Sequence, residues 1–266
     1  SGKKRNRNMS FTFSHPAAII PLSKNRCFVF SALVIGSMSP DFDSFLHLST
    51  DVSFGHSFSG LILFCIPSGL LIFLIFHFLL KYPLISLFPA DHQRCLLCAV
   101  CDVRIGSLRQ WARIVLSLAA GALTHILWDA ATHKHGFFVA FFPLPEESVY
   151  DFRGRPLHVF TVLQHGGTLA GGIFLLYRYQ IWYNTAPASP EKSVMHFSGC
   201  RKFSVISLIS AAGVSAGIIY AFIKAAAYHG IPRGCNFLRD TVLMGISAIF
   251  VGVILFSIYC LLMEKR

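Results

Sequence analysis

The sequence predicts an all-α, polytopic membrane protein with about five to six transmembrane helices. Its 266 residues are 54% hydrophobic and only 13% charged, and the mean hydropathy is +0.60. Soluble domains carry about 25% charged residues, so this chain has too little polar surface to cover a soluble fold of its size. Phenylalanine occurs 26 times, which suits lipid-facing and interfacial positions. These observations exclude an ordinary soluble domain.

Five apolar runs are long enough to cross a bilayer, which takes about 20 residues. They are Phe58–Leu80, Arg113–Ala131, Val159–Tyr177, Phe203–Ala227 and Thr241–Met263. An earlier stretch, His15–Met38, contains two short apolar pieces separated by Ser23–Arg26. Neither piece can cross alone, so the stretch forms either a re-entrant hairpin or one imperfect span. The hairpin fits slightly better.

Composition divides the chain into four segments. Residues 1–8 are basic and precede Met9, so they are interpreted as an N-terminal extension or an expression remnant. Residues 9–180 form a membrane domain that carries the histidine and aspartate motifs, and residues 181–202 form a polar loop. Residues 203–266 form two C-terminal transmembrane helices. Within the membrane domain, Gly136–Pro156 is predicted to lie over the membrane face, with the aromatic run Phe137–Phe142 at the interface.

The formal net charge of +11 indicates a lipid partner rather than a nucleic acid. The basic residues lie at the ends of the apolar runs, where they meet lipid headgroups, and they form no groove interleaved with aromatic residues. They are more numerous on the face holding 81–113, 178–202 and 264–266, which predicts a cytoplasmic C-terminus and an outer 132–157 loop. If His15–Met38 is a hairpin, the basic residues of 1–8 join the opposite face and nearly cancel this bias.

The cysteines do not predict a metal site. Cys95, Cys98 and Cys101 form the only cluster among the eight cysteines. A structural zinc or an iron–sulfur cluster would need a fourth ligand in a suitable loop, and the sequence shows none. We therefore interpret these residues as small apolar side chains on an amphipathic segment.

The second long run carries the clearest chemical motif. His125, Asp129 and His133 are spaced four residues apart, so they share one helical face over about 12 Å. One ion with ligand bonds near 2.1 Å cannot reach all three, whereas two ions could, with Asp129 between them. The alternative is that His125 and Asp129 hydrogen-bond to each other while His133 is exposed at the helix end.

Further imidazoles and carboxylates lie at the ends of neighbouring apolar pieces: His15, Asp41, Asp43 and His56. Such a set gathered at one membrane face suits a borderline divalent cation, with zinc the first candidate and manganese the second. The alternative is structural, because Ser39 and the following acidic residues also fit the start of a helix. His56 could likewise belong to a helix cap.

Gln164 and His165 place polar groups inside the third long run. Polar side chains at membrane depth are costly unless they are paired or functional. We predict that both contact substrate, while His165 could equally be a further ligand or a buried, hydrogen-bonded histidine.

Four motifs together resemble a bacterial membrane family, the domain of unknown function 4184: MSFTFSHP from Met9, LVIGSMSPDFD from Leu33, GHS from Gly55 and THILWDAATH from Thr124. The later LQHGGT from Leu163 also looks like this family. The match covers most of Met9–Tyr177, and the last two spans match only as hydrophobic helices.

That family is similar to YdjM-type proteins, which are described as membrane-bound metal-dependent hydrolases. The order of the motifs also resembles zinc-dependent phospholipase C and the P1-type nucleases, which are helical and bind several zinc ions. By this resemblance the metal ligands would be His15, Asp41 or Asp43, His56, His125, Asp129 and His133. The chain departs from those enzymes because Leu169, and not an acid, follows His165 at the fourth position. The resemblance therefore does not imply a complete trinuclear site.

The leading functional hypothesis is a metal-dependent hydrolase in the bacterial inner membrane, acting on a phosphoester of lipid or envelope origin. One or two bound ions would activate a water molecule, and Asp43 or Asp41 would take its proton. The motif face would be periplasmic.

Two alternatives remain from the sequence. A phosphatidic-acid-phosphatase-like enzyme would use His125 and Asp129 as a dyad and His56 as an acid, but the chain lacks the basic residues that would clamp the phosphate. A non-enzymatic metal-binding scaffold or a transporter would also use intramembrane histidine and aspartate, although no internal repeat is visible. The oligomeric state is open.

Overall fold

The structure is a computed structural model that describes residues 12–49, 54–100, 105–132, 148–152, 155–187, 195, 197–227 and 234–264. The helices are α1 (Phe30–Met38), α2 (Phe42–His47), α3 (Phe58–Ser86), α4 (Ala90–Val100), α5 (Leu108–Thr132), α6 (Val159–Thr185), α7 (Gly199–Ala227) and α8 (Gly234–Glu264). Short 3₁₀ helices occupy Thr12–Ile19, Leu22–Lys24, Ser39–Asp41 and Phe54–His56. The predicted all-helical class is confirmed. A small antiparallel hairpin of β1 (Ser148–Phe152) and β2 (Arg155–His158) is the one β element in the described ranges.

Four helices are long and apolar enough to cross a membrane, which confirms that this is a membrane protein. They correspond to Phe58–Ser86, Leu108–Thr132, Gly199–Ala227 and Asn236–Met263. The remaining predicted span, Val159–Tyr177, lies in α6, which has 27 residues but is not among these four. The predicted count of five to six spans is therefore not confirmed.

The long helices present large apolar side chains outward. Leu63 is 69% exposed, Leu208 71% and Leu255 62%, at positions well inside α3, α7 and α8. Side chains of this kind are stable on a protein surface when lipid covers them.

The segment before α2 forms a hairpin whose two ends lie near one end of α5. At its tip, Arg113 donates to the backbone carbonyl of Cys27 at 3.2 Å. At its two ends, His15 stacks on His125, and the carbonyl of Ser37 accepts a hydrogen bond from His125. Arg113 and His125 are twelve positions apart on α5, a rise of about 18 Å, which is less than the roughly 30 Å of a bilayer core, so each arm of the hairpin is shorter than a full span.

Glycine allows the outgoing arm, α1, to pack directly on α5. A Cβ atom on Gly36 would meet the backbone of Leu118, and one on Gly121 would meet the carbonyl of Leu33. Small residues at such crossings let two membrane helices approach closely. Next to this crossing lies a fully buried apolar core between α1, α3 and α5, formed by Ala32, Phe73, Ile114 and Leu118.

Helix α3 contains two widened π segments, Leu61–Cys65 and Phe76–Leu80. Each lies just before a proline, Pro67 or Pro83. Proline lacks the N–H that would continue the hydrogen-bond ladder, and its ring clashes with the carbonyl four residues earlier. A widened turn accommodates this clash, so the helix continues through both prolines.

The C-terminal helices α7 and α8 form a close pair that docks on α2. Gly217 faces the carbonyl of Thr241 without room for a Cβ atom. Ser247 lies with its Oγ 3.4 Å from the carbonyl oxygen of Phe45, and Lys224 lies with its Nζ 3.4 Å from that of Leu48. Helix α2 is therefore held between the hairpin and the C-terminal pair.

Candidate metal centre

Five of the predicted site residues converge at one place. They lie on four separate elements: His15, Asp41, His56, and His125 with Asp129 on α5. Two groups of three have potential ligand atoms within 4.8 Å of one another, namely His15 with His125 and Asp129, and Asp41 with His56 and His125. Only the pair on α5 is close in sequence, so the tertiary fold assembles the rest.

Four residues of this cluster have the spacing of ligands around a small cation. His56 Nε2 lies 3.4 Å from Asp41 Oδ1 and 3.3 Å from Asp129 Oδ2. His125 Nε2 lies 3.6 Å and 3.4 Å from the same two oxygens. A tetrahedral ion with bonds of about 2.0–2.1 Å has ligands about 3.3–3.4 Å apart, and three of these four distances match that spacing.

The ring of His125 is fixed in the tautomer that a metal ligand needs. Its Nδ1 lies 2.7 Å from the carbonyl oxygen of Ser37, and because a carbonyl can only accept, Nδ1 carries the proton. In the neutral ring, Nε2 then holds the lone pair. That atom is buried without a hydrogen-bond partner and lies next to both carboxylates. A second-shell hydrogen bond of this kind is the usual support of a ligating histidine.

The carboxylate of Asp129 lies between two sets of imidazoles. Its Oδ2 is near His56 and His125, whereas its Oδ1 lies 3.8 Å from Nε2 of His15. The ring of His15 stacks on that of His125 with the centroids 3.8 Å apart. Asp129 is therefore shared between His15 on one side and the pair His56 and His125 on the other, whereas the predicted second partner, His133, lies outside the described residues.

Tight turns bring Asp41 and His56 to the cluster. The turn that carries His56 packs on the carbonyl of Pro40, which leaves no room for a Cβ atom at Gly55. Pro40 precedes Asp41 directly, so this contact places the two ligand candidates side by side.

The cluster is buried on one side and partly open on the other. The side chains of His15 and His125 are 1% and 0% exposed, whereas those of Asp41, Asp129 and His56 are 14–21% exposed. Burial alone lowers the pKa of His56, but hydrogen bonds and negative charge from Asp129 and Asp41 outweigh it and raise that pKa to about 9. The two carboxylates thus attract positive charge to this site.

Asp43, the predicted catalytic residue, is not part of the converging cluster. Its carboxylate is buried, with Oδ1 2.9 Å from Nδ1 of His47 and Oδ2 accepting from the amide of Gly55 at 3.5 Å. Asp41 and Asp43 are two residues apart and so lie about 200° apart around a helix. Of the two aspartates, Asp41 is the one that faces the cluster.

The two predicted substrate-binding residues, Gln164 and His165, face in different directions from α6. Gln164 is 3% exposed and shares a face of α6 with Gly167 and Gly171, which pack on Trp128 and Ser14. That face is directed towards the elements that carry the cluster. His165, one residue on, is exposed.

Several predicted features lie outside the described residues: the candidate ligand His133, the Phe137–Phe142 loop, the extension 1–8 and Cys101. Cys95 is buried and Cys98 half-buried, and both are free thiols on α4.

Sequence reasoning missed His47 and the carbonyl of Ser37. The spacing of Asp43 and His47, four residues apart, was visible in the sequence. The contact of Ser37 with His125 had no sequence signal, because it joins residues 88 positions apart.

A family model for a domain of unknown function, DUF4184, matches residues 9–258. The chain belongs to this family. The match covers all five clustered residues and extends through most of α8, beyond the region where the sequence motifs were apparent. No curated protein and no solved structure matches the chain. The resemblances of this DUF4184 protein to YdjM-type hydrolases and to zinc phospholipase C remain hypotheses.

Proposed function

We propose that this DUF4184 protein is a membrane-embedded, metal-dependent hydrolase acting on a phosphoester of lipid or envelope origin. The observation that carries the proposal is the state of His125. Its Nδ1 is tied to a backbone carbonyl, and its buried Nε2 lies beside two carboxylates with no hydrogen bond of its own. A ligating histidine is commonly held by a hydrogen bond at one ring nitrogen and presents the other nitrogen, beside further donor groups, to the cation.

The donor set fits zinc first and manganese second. His56, His125, Asp41 and Asp129 would hold one ion, and His15 with the other oxygen of Asp129 would contribute to a second. When bound, such an ion lowers the pKa of a water ligand to about 7 and polarises a phosphoryl oxygen.

The position of the cluster supports chemistry at a membrane face. His125 and Asp129 lie in the last two turns of α5, and His56 directly precedes α3. These are helix ends, where a lipid headgroup can reach the partly open side formed by Asp41, Asp129 and His56. A transport pathway would instead need polar groups along the full depth of the helices. The bacterial inner membrane and a periplasmic site are parts of this proposal.

Gln164 is suited to substrate binding. It is buried on the face of α6 that packs towards Trp128 and the His15 segment, and an amide can accept from and donate to a phosphoester and its alcohol.

The test is metal content, measured by elemental mass spectrometry on detergent-purified protein reloaded with zinc. We expect one or two zinc ions per chain in the wild type and a loss of zinc in His125→Ala/Asp129→Ala. Asp129→Asn keeps the shape of the side chain and guards against misfolding as the cause. His92→Ala is the matched control, because His92 lies on α4 and stacks on Tyr183 instead. Absence of zinc from the folded wild type would overturn the proposal.

A further inference from the structure

Large apolar side chains are exposed on the elements that carry the metal centre. Phe54 and Phe58 lie two residues before and after the ligand candidate His56, and both are exposed, Phe58 by 82%. On α2, Leu46 is 69% exposed. Leu46 and Phe54 belong to elements that are too short to span a bilayer, so their exposure is not that of a spanning helix. Side chains of this kind indicate that lipid also surrounds these short elements.

The end of α5 shows the same pattern. Leu127 and Trp128 directly precede the ligand candidate Asp129, and both are exposed, Leu127 by 50%. His125, Leu127, Trp128 and Asp129 lie within about 6 Å of one another along the helix axis, because each residue rises 1.5 Å. Tryptophan is enriched at the boundary between membrane and water. The ligand candidates of α5 therefore lie at the depth of this boundary and not in the water beyond it.

Basic side chains mark the level of the lipid headgroups nearby. Lys224 lies 3.1 Å and Arg239 3.2 Å from the same oxygen of Asp240, so this group keeps a surplus positive charge. Lys224 Nζ also lies 3.4 Å from the carbonyl oxygen of Leu48, which directly follows α2. Asp41 directly precedes α2, which makes the two ends of this helix about 10 Å apart. Cations at the ends of apolar helices meet lipid phosphates, so the metal centre lies close to that level.

We propose that the substrate is a phosphoester of a membrane lipid that reaches the metal centre from within the bilayer, an inference that rests on the proposed hydrolase function. Such a lipid holds its phosphate at the boundary, where the cluster is partly open, while its acyl chains stay in the bilayer beside Phe58. In the reaction a water oxygen bonds to phosphorus, and the bond from phosphorus to the leaving oxygen breaks. The leaving oxygen keeps the electron pair and takes up a proton, and the water gives one proton up.

The depth of the centre is measured without any activity. The chain has three tryptophans, so Trp111→Phe/Trp182→Phe leaves Trp128 as the only one. Its fluorescence is recorded in nanodiscs that contain phosphatidylcholine brominated at either a shallow or a deep acyl position. We expect stronger quenching by the shallow bromine. Stronger quenching by the deep bromine, or none by either, would overturn the inference, because the centre would then lie away from the lipid phosphates.

The substrate class is tested with zinc-loaded protein in nanodiscs of total bacterial lipid extract supplemented with dioleoyl phosphatidic acid. Phosphorus NMR follows every phosphoester at once. The water-soluble probes are the dihexanoyl forms of the same lipids, below their micelle concentration, and bis(p-nitrophenyl) phosphate. At equal phosphate concentration we expect a long-chain lipid to be cleaved at least about 10-fold faster than its dihexanoyl form, because the bilayer concentrates it at the depth of the centre.

Phe58→Lys tests the approach beside α3. The exposed position tolerates the change, but a charged group draws water and headgroups to a place that acyl chains would occupy. We expect the rate on the long-chain lipid to fall about 10-fold, with the rate on the dihexanoyl form and the zinc content unchanged. Phe203→Lys is the matched control, because Phe203 is also exposed but lies at the opposite end of α7 from Lys224.

The outcomes separate the substrate class from the function. A soluble probe cleaved as fast as the long-chain lipid would overturn the lipid inference and leave the hydrolase proposal intact. An unchanged lipid rate in Phe58→Lys, or equal losses on both forms, would overturn the approach beside α3. A wild type that binds zinc but cleaves no probe would overturn the hydrolase function, and the lipid substrate with it.

Discussion

His125 and Ser37 are joined across 88 residues of sequence by a hydrogen bond of 2.7 Å from an imidazole nitrogen to a backbone carbonyl. The bond fixes the ring on α5 and holds the end of the hairpin arm α1 against that helix. It is possible because Gly36 and Gly121 bring the two backbones into contact just below it. The packing of two glycines thus determines the chemistry of a histidine.

We expect Gly121→Ala to weaken both the fold and the metal centre. Its Cβ would meet the backbone at Leu33 and Ser37, which must move away. Overpacking of this kind costs about 1–3 kcal/mol of unfolding free energy. Thermal unfolding in detergent and zinc content both report the change. Gly172→Ala is the control, since a Cβ there meets nothing within 4 Å and a helical alanine is slightly favourable. Equal thermal stability and equal zinc content in the two variants would contradict the prediction.

Gly55→Ala tests the turn that places His56 beside Asp41. The added methyl group would press on the carbonyl of Pro40 and displace the turn from the cluster. We expect zinc affinity to fall about 10–100-fold, as it does when the support of a ligand is disturbed. Isothermal titration with zinc measures the affinity. Gly106→Ala, where a Cβ meets nothing within 4 Å, should bind zinc like the wild type. An unchanged affinity in Gly55→Ala would show that the turn tolerates the shift.

The raised pKa of His56 predicts opposite pH dependences for the metal-free and zinc-bound protein. The pKa of His56 is 6.5 unfolded and about 9 folded, so its protonation stabilises the fold fully below pH 6.5, and this contribution is lost as the pH rises through 9. Zinc must displace the same proton, so zinc affinity rises over that interval.

The measurement compares the wild type with His56→Gln. Across pH 6.5 to 9, the metal-free wild type should lose thermal stability relative to the variant, while its zinc affinity increases. A zinc affinity that is independent of pH would mean that His56 carries no proton when the metal is absent.

Lys224→Ala tests how the C-terminal pair is fixed to the site. Lys224 lies 3.1 Å from Asp240, which is 6% exposed, and also contacts the carbonyl of Leu48 at the end of α2. Arg239 stays with Asp240 at 3.2 Å in the variant, so the loss should be partial, about 1–3 kcal/mol. The readout is the thermal midpoint. Lys202→Ala, which removes an exposed bond to the carbonyl of Phe88, should change stability by no more than about 0.5 kcal/mol. A wild-type midpoint for Lys224→Ala would show that the contacts of Lys224 do not contribute to holding α2.

The membrane class and the ligand candidates could be predicted because both depend on local sequence. Long apolar runs fix spans, and His125 with Asp129 share a face by helical geometry alone. The count of spans was less secure, since α6 carries Gln164 and His165 among its apolar residues. The contact of His47 with Asp43 was overlooked because its importance depends on the burial of the Asp43 carboxylate, and burial is a property of the tertiary structure.

The sequence by itself determined that this protein lies in a membrane and that histidine and aspartate residues lie at the ends of its apolar runs, while it left a hairpin and an imperfect span open for the segment before the first long span. Only the tertiary structure decided that Asp41 joins the cluster while Asp43 binds His47, and that Gln164 is buried while His165 is exposed. Hydropathy is summed over a local window of sequence, so a membrane span can be predicted without knowing which residues it packs against. Which way a side chain faces depends on the rotation of its helix against neighbours distant in sequence, here fixed by the glycine contact between α1 and α5.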